Sequence, residues 1–227
     1  MAAPGASETV IVVTGGDPVD PALLPALPAA ALVIAADSGV DRAIALGLRV
    51  DLAIGDFDSV DPASLRFVAE RGATVERHPV AKDATDLELA LDAALRQQPT
   101  RIVVIGGHGG RLDHLLANAL LFAAPAYAEV ALVAQMGPAR VTVVRHHASL
   151  TGPVGDLVSL LALHGGATGV RSEGLLYPLD DEDLFPGATR GVSNELTNGA
   201  AMVSIRGGVL VAVQPGQLGT HHQTRTP

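Results

Sequence analysis

The stretch TDLELALDAALRQQPTRIVVI, residues 85–105, predicts a helix followed directly by a buried strand. Thr85 stands at the N-cap position with Glu88 three residues later, which is the capping-box pattern of a helix start. Three leucines recur at every fourth position and give a helix over residues 85–97 one apolar stripe: Leu87, Leu91 and Leu95. The β-branched run at 101–105 then indicates a strand. A helix leading into an apolar strand is typical of an α/β fold.

The same pattern recurs on both sides of this stretch, between residues 9 and 134. Short β-branched runs predict five further strands, at residues 9–14, 32–36, 52–54, 74–77 and 130–134. Helical periodicity predicts three further helices, at residues 40–46, 62–71 and 112–123. Strands alternating with helices predict an N-terminal α/β domain over residues 1–136, with a mostly parallel sheet covered on both faces.

From about residue 137 onward, the pattern changes to short apolar runs separated by Gly, Pro and Asp. Four of these runs predict strands, at residues 139–145, 156–163, 200–205 and 209–213. Arg206-Gly207-Gly208 predicts a hairpin turn between the last two strands. We therefore expect a C-terminal all-β domain of the sandwich kind over residues 137–220. Residues 221–227, with His221 and His222, are expected to form a disordered tail.

The composition argues against several classes of protein. The 227 residues carry a net charge of −9, which disfavours a broad nucleic-acid-binding surface. No apolar run approaches the ~20 residues that a membrane-spanning helix needs. No cysteine is present, which excludes disulfides and thiolate metal sites and is compatible with the cytoplasm. The sequence therefore predicts a cytoplasmic protein without nucleic-acid or membrane partners.

Polar residues concentrate where the predicted strands end. Loops at the carboxyl ends of parallel strands converge at one edge of a sheet, where α/β proteins bind ligands. One of these loops holds Lys82, the only lysine of the chain, and a compact ammonium suits a phosphate group. Four stretches rich in Asp and Gly follow four of the strands: Asp37-Ser38-Gly39, Gly55-Asp56-Phe57-Asp58-Ser59, Lys82-Asp83-Ala84-Thr85-Asp86 and residues 106–114.

Asp56 and Asp58 are the first candidates for metal ligands. In extended backbone, residues two apart project to the same side, and two close carboxylates repel unless a cation such as Mg²⁺ binds them. A turn with Asx hydrogen bonds explains the pair without a metal, and the helix dipole alone explains Asp86 at a helix start. Because these residues and Asp83 lie in neighbouring loops, we expect one magnesium site that handles phosphate, and hence an enzyme acting on a nucleotide.

The loop at residues 106–110 contains four glycines and opens a predicted helix. Its N–H groups can cradle a phosphate, although a plain turn explains the glycines equally well. It matches neither the dinucleotide-binding pattern nor the P-loop, which disfavours a Rossmann dehydrogenase. Arg111 and Asp113 are candidates to hold phosphate and a hydroxyl or water. His114 and Asn118 share a helix face, and structural hydrogen bonding is the better interpretation of both.

In combination and order, these motifs resemble those of thiamine pyrophosphokinases. The resemblance extends from about residue 10 to 215. The motifs that carry it are Asp37-Ser38-Gly39, Gly55-Asp56-Phe57-Asp58-Ser59, Lys82-Asp83-x-Thr85-Asp86-x-Glu88, Gly109-Gly110-Arg111-x-Asp113-His114-x-x-x-Asn118, Gly174-Leu175-x-Tyr177-Pro178-Leu179 and Ser193-Asn194-Glu195.

The resemblance implies a homodimer with its active sites at the subunit interface. Such an enzyme transfers the pyrophosphoryl group of ATP to the hydroxyl of thiamine, giving thiamine diphosphate and AMP. The α/β domain would bind ATP and Mg²⁺ and carry out catalysis, and the β-sandwich would bind thiamine and form the dimer.

The resemblance also implies roles for individual residues. Asp56, Asp58 and Asp86 would be catalytic residues and Mg²⁺ ligands, Lys82 would be catalytic, and Asp58 or Asp86 would accept the hydroxyl proton. The implied ATP-binding residues are Asp37, Gly39, Asp83, Thr85, Gly109, Gly110, Arg111 and Asp113. The implied thiamine-binding residues are Ser193, Asn194 and Tyr177.

The sequence departs from the family pattern at two places. Ser38 stands where many relatives have a second glycine, and the C-terminal domain has no tryptophan, so that Tyr177 and Phe185 are its only aromatic residues.

Two alternative functions are also considered. A pyrophosphokinase for another hydroxymethyl heterocycle, such as a pterin, would share the magnesium site without needing Ser193-Asn194. A non-catalytic nucleotide- or thiamine-binding module would not need every acidic motif together with Lys82.

Overall fold

The structure, a computed structural model, describes residues 8–22, 27 and 32–216. The chain divides into two compact units with a boundary between Gly137 and Pro138. Unit 1 precedes this boundary and unit 2 follows it. The predicted tail at residues 221–227, with its two histidines, lies outside the described residues.

Strands and helices largely alternate in unit 1, as predicted. Its described residues contain six strands: β1 (Thr9–Val13), β2 (Leu32–Ala36), β3 (Leu52–Gly55), β4 (Thr74–Arg77), β5 (Arg101–Ile105) and β6 (Ala131–Met136). They also contain four α-helices: α1 (Gly39–Ala45), α2 (Pro62–Glu70), α3 (Asp86–Leu95) and α4 (Leu112–Phe122). A 3₁₀ turn at Pro125–Tyr127 precedes β6.

The strands of unit 1 form a parallel sheet in the order β4-β3-β2-β1-β5-β6. Val12 in the middle of β1 lies opposite Ile34 of β2 on one side and Val104 of β5 on the other. Strands β2 to β4 are added outward from β1 in one direction, and β5 and β6 in the other. The order of the strands therefore reverses between β1 and β5, which is where parallel sheets leave a crevice for a ligand.

Both faces of this sheet are buried. Ile11 and Val13 of β1 belong to a core cluster with residues of α1 and α2, among them Val40 and Val68. Val10 and Val12 point to the opposite face and are also fully buried. Helix α3 packs against β1, β2 and β3. Continuous Val, Ile and Ala runs suit strands that are covered on both sides.

Side chains cap two of the helices where they begin. The Thr85 hydroxyl accepts a hydrogen bond from the Glu88 backbone N–H at 3.2 Å, as the capping pattern predicts for α3. The Asp61 carboxylate accepts one from the Ala63 N–H at 2.8 Å at the start of α2. Helix α3 ends two residues before the predicted position, and Gln98, just beyond it, has a φ of 52° that no helix contains.

Unit 2 consists of antiparallel strands, as predicted for a β-sandwich. Its described residues contain seven strands: β7 (Ala139–Val144), β8 (His147–Thr151), β9 (Leu157–Glu173), β10 (Glu182–Leu184), β11 (Asn194–Glu195), β12 (Ala200–Ser204) and β13 (Gly207–Gln214). A single apolar core joins residues of these strands, including Leu150, Leu160, Val203 and Leu210.

The 17-residue strand β9 organises unit 2. Its first part pairs with β13, which pairs in turn with β7, and its last residues pair with β12, which pairs with β8. The hairpin predicted at Arg206-Gly207-Gly208 is therefore wrong, because β12 and β13 follow each other along β9 in one antiparallel register and do not pair with each other. The second half of β9 was not predicted from the sequence. Glycines with positive φ, such as Gly166 and Gly169, interrupt the apolar pattern of the strand without ending it.

Among the described residues, no helix is long and apolar enough to cross a membrane.

Candidate active site

A cavity of about 470 Å³ lies in unit 1 at the carboxyl ends of β1, β2 and β5. Its wall consists partly of glycines from the loops that follow β1 and β5. Asp37 and Ser38 line it after β2, and Lys82, Thr85 and Asp86 line it at the start of α3. The cavity therefore occupies the point where the strand order reverses, as expected for a ligand site of an α/β protein.

Two glycine-rich loops, residues 14–17 after β1 and 106–110 after β5, are hydrogen-bonded to each other. The Gly107 N–H donates to the Gly15 carbonyl at 2.7 Å, and the Asp17 N–H donates to the His108 carbonyl at 2.7 Å. Gly106 has a φ of 103°, and a Cβ there would lie 2.4 Å from the Thr14 carbonyl oxygen, so only glycine fits. This contact leaves a backbone wall that a polyphosphate can approach closely.

Arg42 holds the first of these loops from outside the cavity. Its Nη2 donates a hydrogen bond to the Gly16 carbonyl at 2.6 Å. Ser38 supports the same loop, since a Cβ on Gly15 would come within 2.3 Å of the Ser38 hydroxyl oxygen. The serine that replaces the usual family glycine thus fills space that the glycine at position 15 leaves open.

Asp37, Asp56 and Asp58 bring carboxylate oxygens within 4.8 Å of one another. The extended backbone predicted between Asp56 and Asp58 is wrong, because Phe57 has a φ of 61°. The segment is a turn, in which the Asp58 N–H donates to the Asp56 carboxylate at 3.2 Å. The Asx hydrogen bond and the carboxylate cluster therefore coexist in one loop.

The environment of Asp37 fits a bound cation. Burial raises the pKa of Asp37, and the nearby carboxylates of Asp86, Asp56 and Asp58 raise it further, against a backbone hydrogen bond from Ser38 that lowers it. Its Oδ1 is buried without a hydrogen-bond partner among the described residues. A divalent cation would satisfy this oxygen and relieve the repulsion within the cluster, and an all-carboxylate donor set suits a hard cation such as Mg²⁺.

Lys82 is the positive charge at this cluster. Its Nζ lies 2.6 Å from an Asp56 oxygen and 3.1 Å from an Asp86 oxygen, and only 12% of its side chain is exposed. Burial alone would lower the pKa of Lys82, but the hydrogen bonds with Asp56 and Asp86 outweigh burial and the pKa is raised. The same hydrogen bond lowers the pKa of the Asp56 carboxyl. Lys82 is therefore charged and held at the edge of the cavity.

The other predicted residues of this loop take different positions. Asp86 lies within 2.9 Å of where a Gly55 Cβ would be, next to the carboxylate cluster, and faces Lys82. Asp83 is exposed and does not line the cavity. Thr85 lines it while capping α3. Gly39 is buried against the Val13 carbonyl, where a Cβ would come within 2.1 Å, so that its role is close packing of α1 on β1.

At the start of α4, Arg111 and Asp113 bind each other. The Arg111 Nε and Nη2 donate to the two Asp113 oxygens at 3.1 and 2.5 Å, and both side chains are exposed. This hydrogen-bonded pair lowers the pKa of Asp113 to about 2. Arg111, Gly109, Gly110 and His114 line the cavity. Asn118 is buried and donates to the Gly107 carbonyl at 3.3 Å, which confirms its predicted structural role.

The three residues expected to bind thiamine lie together in unit 2. Asn194 is only 2% exposed, and its carboxamide accepts from the Tyr177 and Glu195 N–H groups and donates to the Tyr177 carbonyl. Ser193 is exposed with a φ of 57°, and the Tyr177 side chain is also exposed. Asn194 therefore fixes the backbone that presents Tyr177, whereas Ser193 and Tyr177 are free to meet a ligand.

Sequence reasoning missed three contributors to this site. The loop at residues 14–17 contains a Gly-Gly pair shortly after a predicted strand. That position is typical of a ligand-binding loop in an α/β fold, so the sequence could have indicated it. Ser59 lines the cavity at the end of the acidic loop. No local pattern marks Arg42, because its contact joins residues 26 positions apart.

Comparisons with known proteins agree with this architecture. A family model described as "Thiamin pyrophosphokinase, catalytic domain" matches residues 25–134, and one described as "Thiamin pyrophosphokinase, vitamin B1 binding domain" matches residues 144–210. The chain belongs to the thiamin pyrophosphokinase family. This finding confirms the predicted family and, with it, the activity of an ATP-dependent thiamine diphosphokinase rather than that of a pterin enzyme or a dehydrogenase.

Individual relatives support the same assignment. A thiamine pyrophosphokinase of Bacillus subtilis is 28% identical over 193 residues, which is 81% of this chain and 86% of the relative. A crystal structure of the Bacillus subtilis thiamine pyrophosphokinase has a TM-score of 0.81 at 27% identity and covers 92% of this chain and 100% of its own. One from Geobacillus thermodenitrificans has a TM-score of 0.78 at 25% identity and covers 93% and 99%. The α/β and β-sandwich fold is thus shared with this family.

The position of Lys82 leads to a test of the apo protein. Lys82→Met should lower the free energy of unfolding by about 1–3 kcal/mol in EDTA, because it leaves the Asp56 and Asp86 carboxylates without their hydrogen-bonded cation. Added Mg²⁺ should restore most of the loss. Chemical denaturation with and without Mg²⁺ measures both effects.

Arg96→Met is the matched control, since Arg96 is an exposed cation 3.7 Å from Glu76 and should cost less than about 1 kcal/mol. If Lys82→Met is as stable as the wild type in EDTA, Lys82 does not neutralise the cluster.

Proposed function

We propose that the cavity of unit 1 binds ATP together with Mg²⁺. The pyrophosphoryl group of this bound ATP is the group that the enzyme transfers to thiamine. The observation that carries this proposal is the convergence of Asp37, Asp56 and Asp58 with Lys82 at the rim of a glycine-lined cavity. Metal-binding carboxylates, a buried ammonium and a backbone wall are the parts that phosphoryl-transfer sites use to position a polyphosphate and neutralise its charge.

The cation would be held by Asp37, Asp56 and Asp58. A bound Mg²⁺ would supply positive charge to offset the negative charge of the phosphate groups. We propose Asp37 as a ligand because its buried oxygen lacks a partner among the described residues. Asp86 stays a predicted ligand, supported by its position beside the cluster and against Lys82.

The chain's own groups would position the remaining charges. Lys82 would meet phosphate oxygens as a point charge, and the loops at 14–17 and 106–110 would contact the polyphosphate through their backbone. Arg111 would leave Asp113 and bind ATP instead. Thr85, Gly109 and Gly110 would line the cavity around the bound ATP. Asp83 and Gly39 would support the adjacent loops. Most of the rate enhancement in such reactions comes from positioning and electrostatics, which these contacts would supply.

The reaction forms one bond and breaks one. The hydroxyl oxygen of thiamine bonds to the β-phosphorus of ATP, and the bond from that phosphorus to the oxygen shared with the α-phosphorus breaks, releasing AMP. The hydroxyl proton passes to a carboxylate, for which Asp58 and Asp86 are the candidates. We propose Ser193 and Tyr177 as thiamine contacts in unit 2, supported by the hydrogen bonds that hold their backbones: Asn194 holds that of Tyr177, and the Ser159 hydroxyl accepts the Ser193 N–H.

Turnover tests this function directly. With ATP, Mg²⁺ and thiamine, the purified chain should form thiamine diphosphate and AMP in equal amounts, and a hydroxymethylpterin in place of thiamine should give no AMP. Asp56→Asn, with the wild-type circular dichroism spectrum, should lose at least about 100-fold in rate, because it removes a ligand of the cation that would neutralise the polyphosphate. Release of ADP, or AMP formation that does not depend on thiamine, would contradict the proposal.

We further propose that the chain acts as a homodimer with its active sites at the subunit interface, as the family resemblance implies. Three leucines on one face of α4, next to the cavity, are 68%, 57% and 51% exposed and suit burial against a second copy: Leu112, Leu116 and Leu120. Light scattering of the purified chain should give a mass of about twice 23.1 kDa. A mass of one chain at micromolar concentration would contradict the dimer.

A cytoplasmic location is the last of these proposals, supported by ATP as the co-substrate; cell fractionation tests it.

A further inference from the structure

A second cavity of unit 1, of about 400 Å³, lies away from the nucleotide cavity. One wall consists of Ile44 in α1 and of the loop that leads into β3, and the other consists of residues near the end of α2. These segments lie where β3 and β4 begin, whereas the carboxylates and glycine loops lie where the strands end. The two cavities are thus at opposite ends of the same parallel strands, and one ligand cannot occupy both.

The floor of this cavity is apolar. Val50 and Val68 belong to the buried core, and Ile44 and Leu48 pack against that core. Phe67, which lines the cavity, is 40% exposed. An aromatic ring beside aliphatic side chains in a cavity of this volume suits the apolar body of a small organic molecule.

Two arginines line the same cavity, although the chain as a whole carries a net charge of −9. The Arg71 guanidinium lies 3.6 Å from the centre of the Phe67 ring and has no carboxylate partner among the described residues. Arg49 lies 3.9 Å from one Asp51 oxygen, at the limit of an ion pair, while the other Asp51 oxygen accepts the Val33 N–H.

Stacking on Phe67 keeps the Arg71 guanidinium at the cavity without neutralising its charge, since the ring contributes no counter-ion. Both arginines can therefore donate hydrogen bonds to an incoming anion, and the planar guanidinium suits a carboxylate, sulfonate or phosphate group.

We propose that this cavity binds a small organic anion with a flat aromatic body. The body lies against Phe67, Val68 and Leu48, and the anionic group pairs with Arg49 and Arg71. The complementarity of charge distinguishes this ligand from a neutral apolar compound, and the size of the cavity distinguishes it from a macromolecule. This site is separate from the proposed ATP cavity and does not depend on the catalytic assignment.

The fluorescent probe 8-anilinonaphthalene-1-sulfonate, which has an aromatic body and one sulfonate, tests the proposal. It is titrated into the full chain in the presence of saturating ATP and Mg²⁺, so that the nucleotide cavity does not contribute. The chain has no tryptophan, which keeps the fluorescence free of energy transfer from indole. We expect saturable binding of one probe per chain.

Three comparisons make the result decisive. Arg49→Gln and Arg71→Gln should each weaken the probe about threefold, and the double variant about tenfold, because each removes one partner of the sulfonate. Arg66→Gln, an equal change of charge on the same helix at a residue that does not line the cavity, should leave the affinity unchanged. The neutral probe N-phenyl-1-naphthylamine should bind at least about tenfold more weakly than the sulfonate.

The variants must keep the wild-type melting temperature for the comparison to count, and substitution of exposed arginines preserves it in general. Non-saturable binding, equal affinity in the double variant and the wild type, an equal loss in Arg66→Gln, or equal affinity of the neutral probe would each overturn the proposal. The last outcome would show an apolar cavity without anion selectivity.

Discussion

Repulsion among carboxylates at one edge of the unit 1 sheet is the constraint on which the rest of the site depends. Two unit charges 4 Å apart repel by about 4 kcal/mol at the effective dielectric of a protein surface. Asp37, Asp56 and Asp58 place oxygens within 4.8 Å, with Asp86 beside them. Lys82 offsets part of this repulsion. Burial raises the pKa of Asp37, and the neighbouring carboxylates raise it further. Such a site is stabilised most when a cation and a polyphosphate bind together, because the positive charge of the cation and the negative charge of the polyphosphate neutralise each other.

The topology of the sheet produces this convergence from segments far apart in the sequence. Asp37 follows β2, the acidic turn follows β3, and Lys82 and Asp86 come from the approach to α3, so that parallel strands bring all of them to one edge. The reversal of strand order between β1 and β5 opens the adjoining cavity, and two glycine loops in mutual contact form its wall. Arg42 and Ser38 then hold the first loop in place. The same parallel strands leave the second, arginine-lined cavity at their other end.

Much of the fold could be predicted because it depends on local patterns. The six strands and four helices of unit 1 are set by apolar periodicity and capping residues such as Thr85, and the acidic loops follow from the same positions. What could not be predicted depends on contacts between distant residues. Asp37 joins the carboxylate cluster only through strand order, and β9 exceeds its predicted length because glycine bulges interrupt its pattern without ending its hydrogen bonds. The hydrogen bond from Arg42 to the Gly16 carbonyl could not be predicted either, because no local sequence pattern marks it.

The central claim is that Asp37, Asp56 and Asp58 act together as one cation site. Calorimetric titration of Mg²⁺ into the wild type, Asp37→Asn and Asp113→Asn tests it most directly, since both variants remove one negative charge at the same edge of the sheet. The account predicts that Asp37→Asn weakens Mg²⁺ binding by at least about tenfold, because a half-buried ligand charge is lost, whereas Asp113→Asn changes it by less than about twofold. Equal affinity of the wild type and Asp37→Asn would contradict the account.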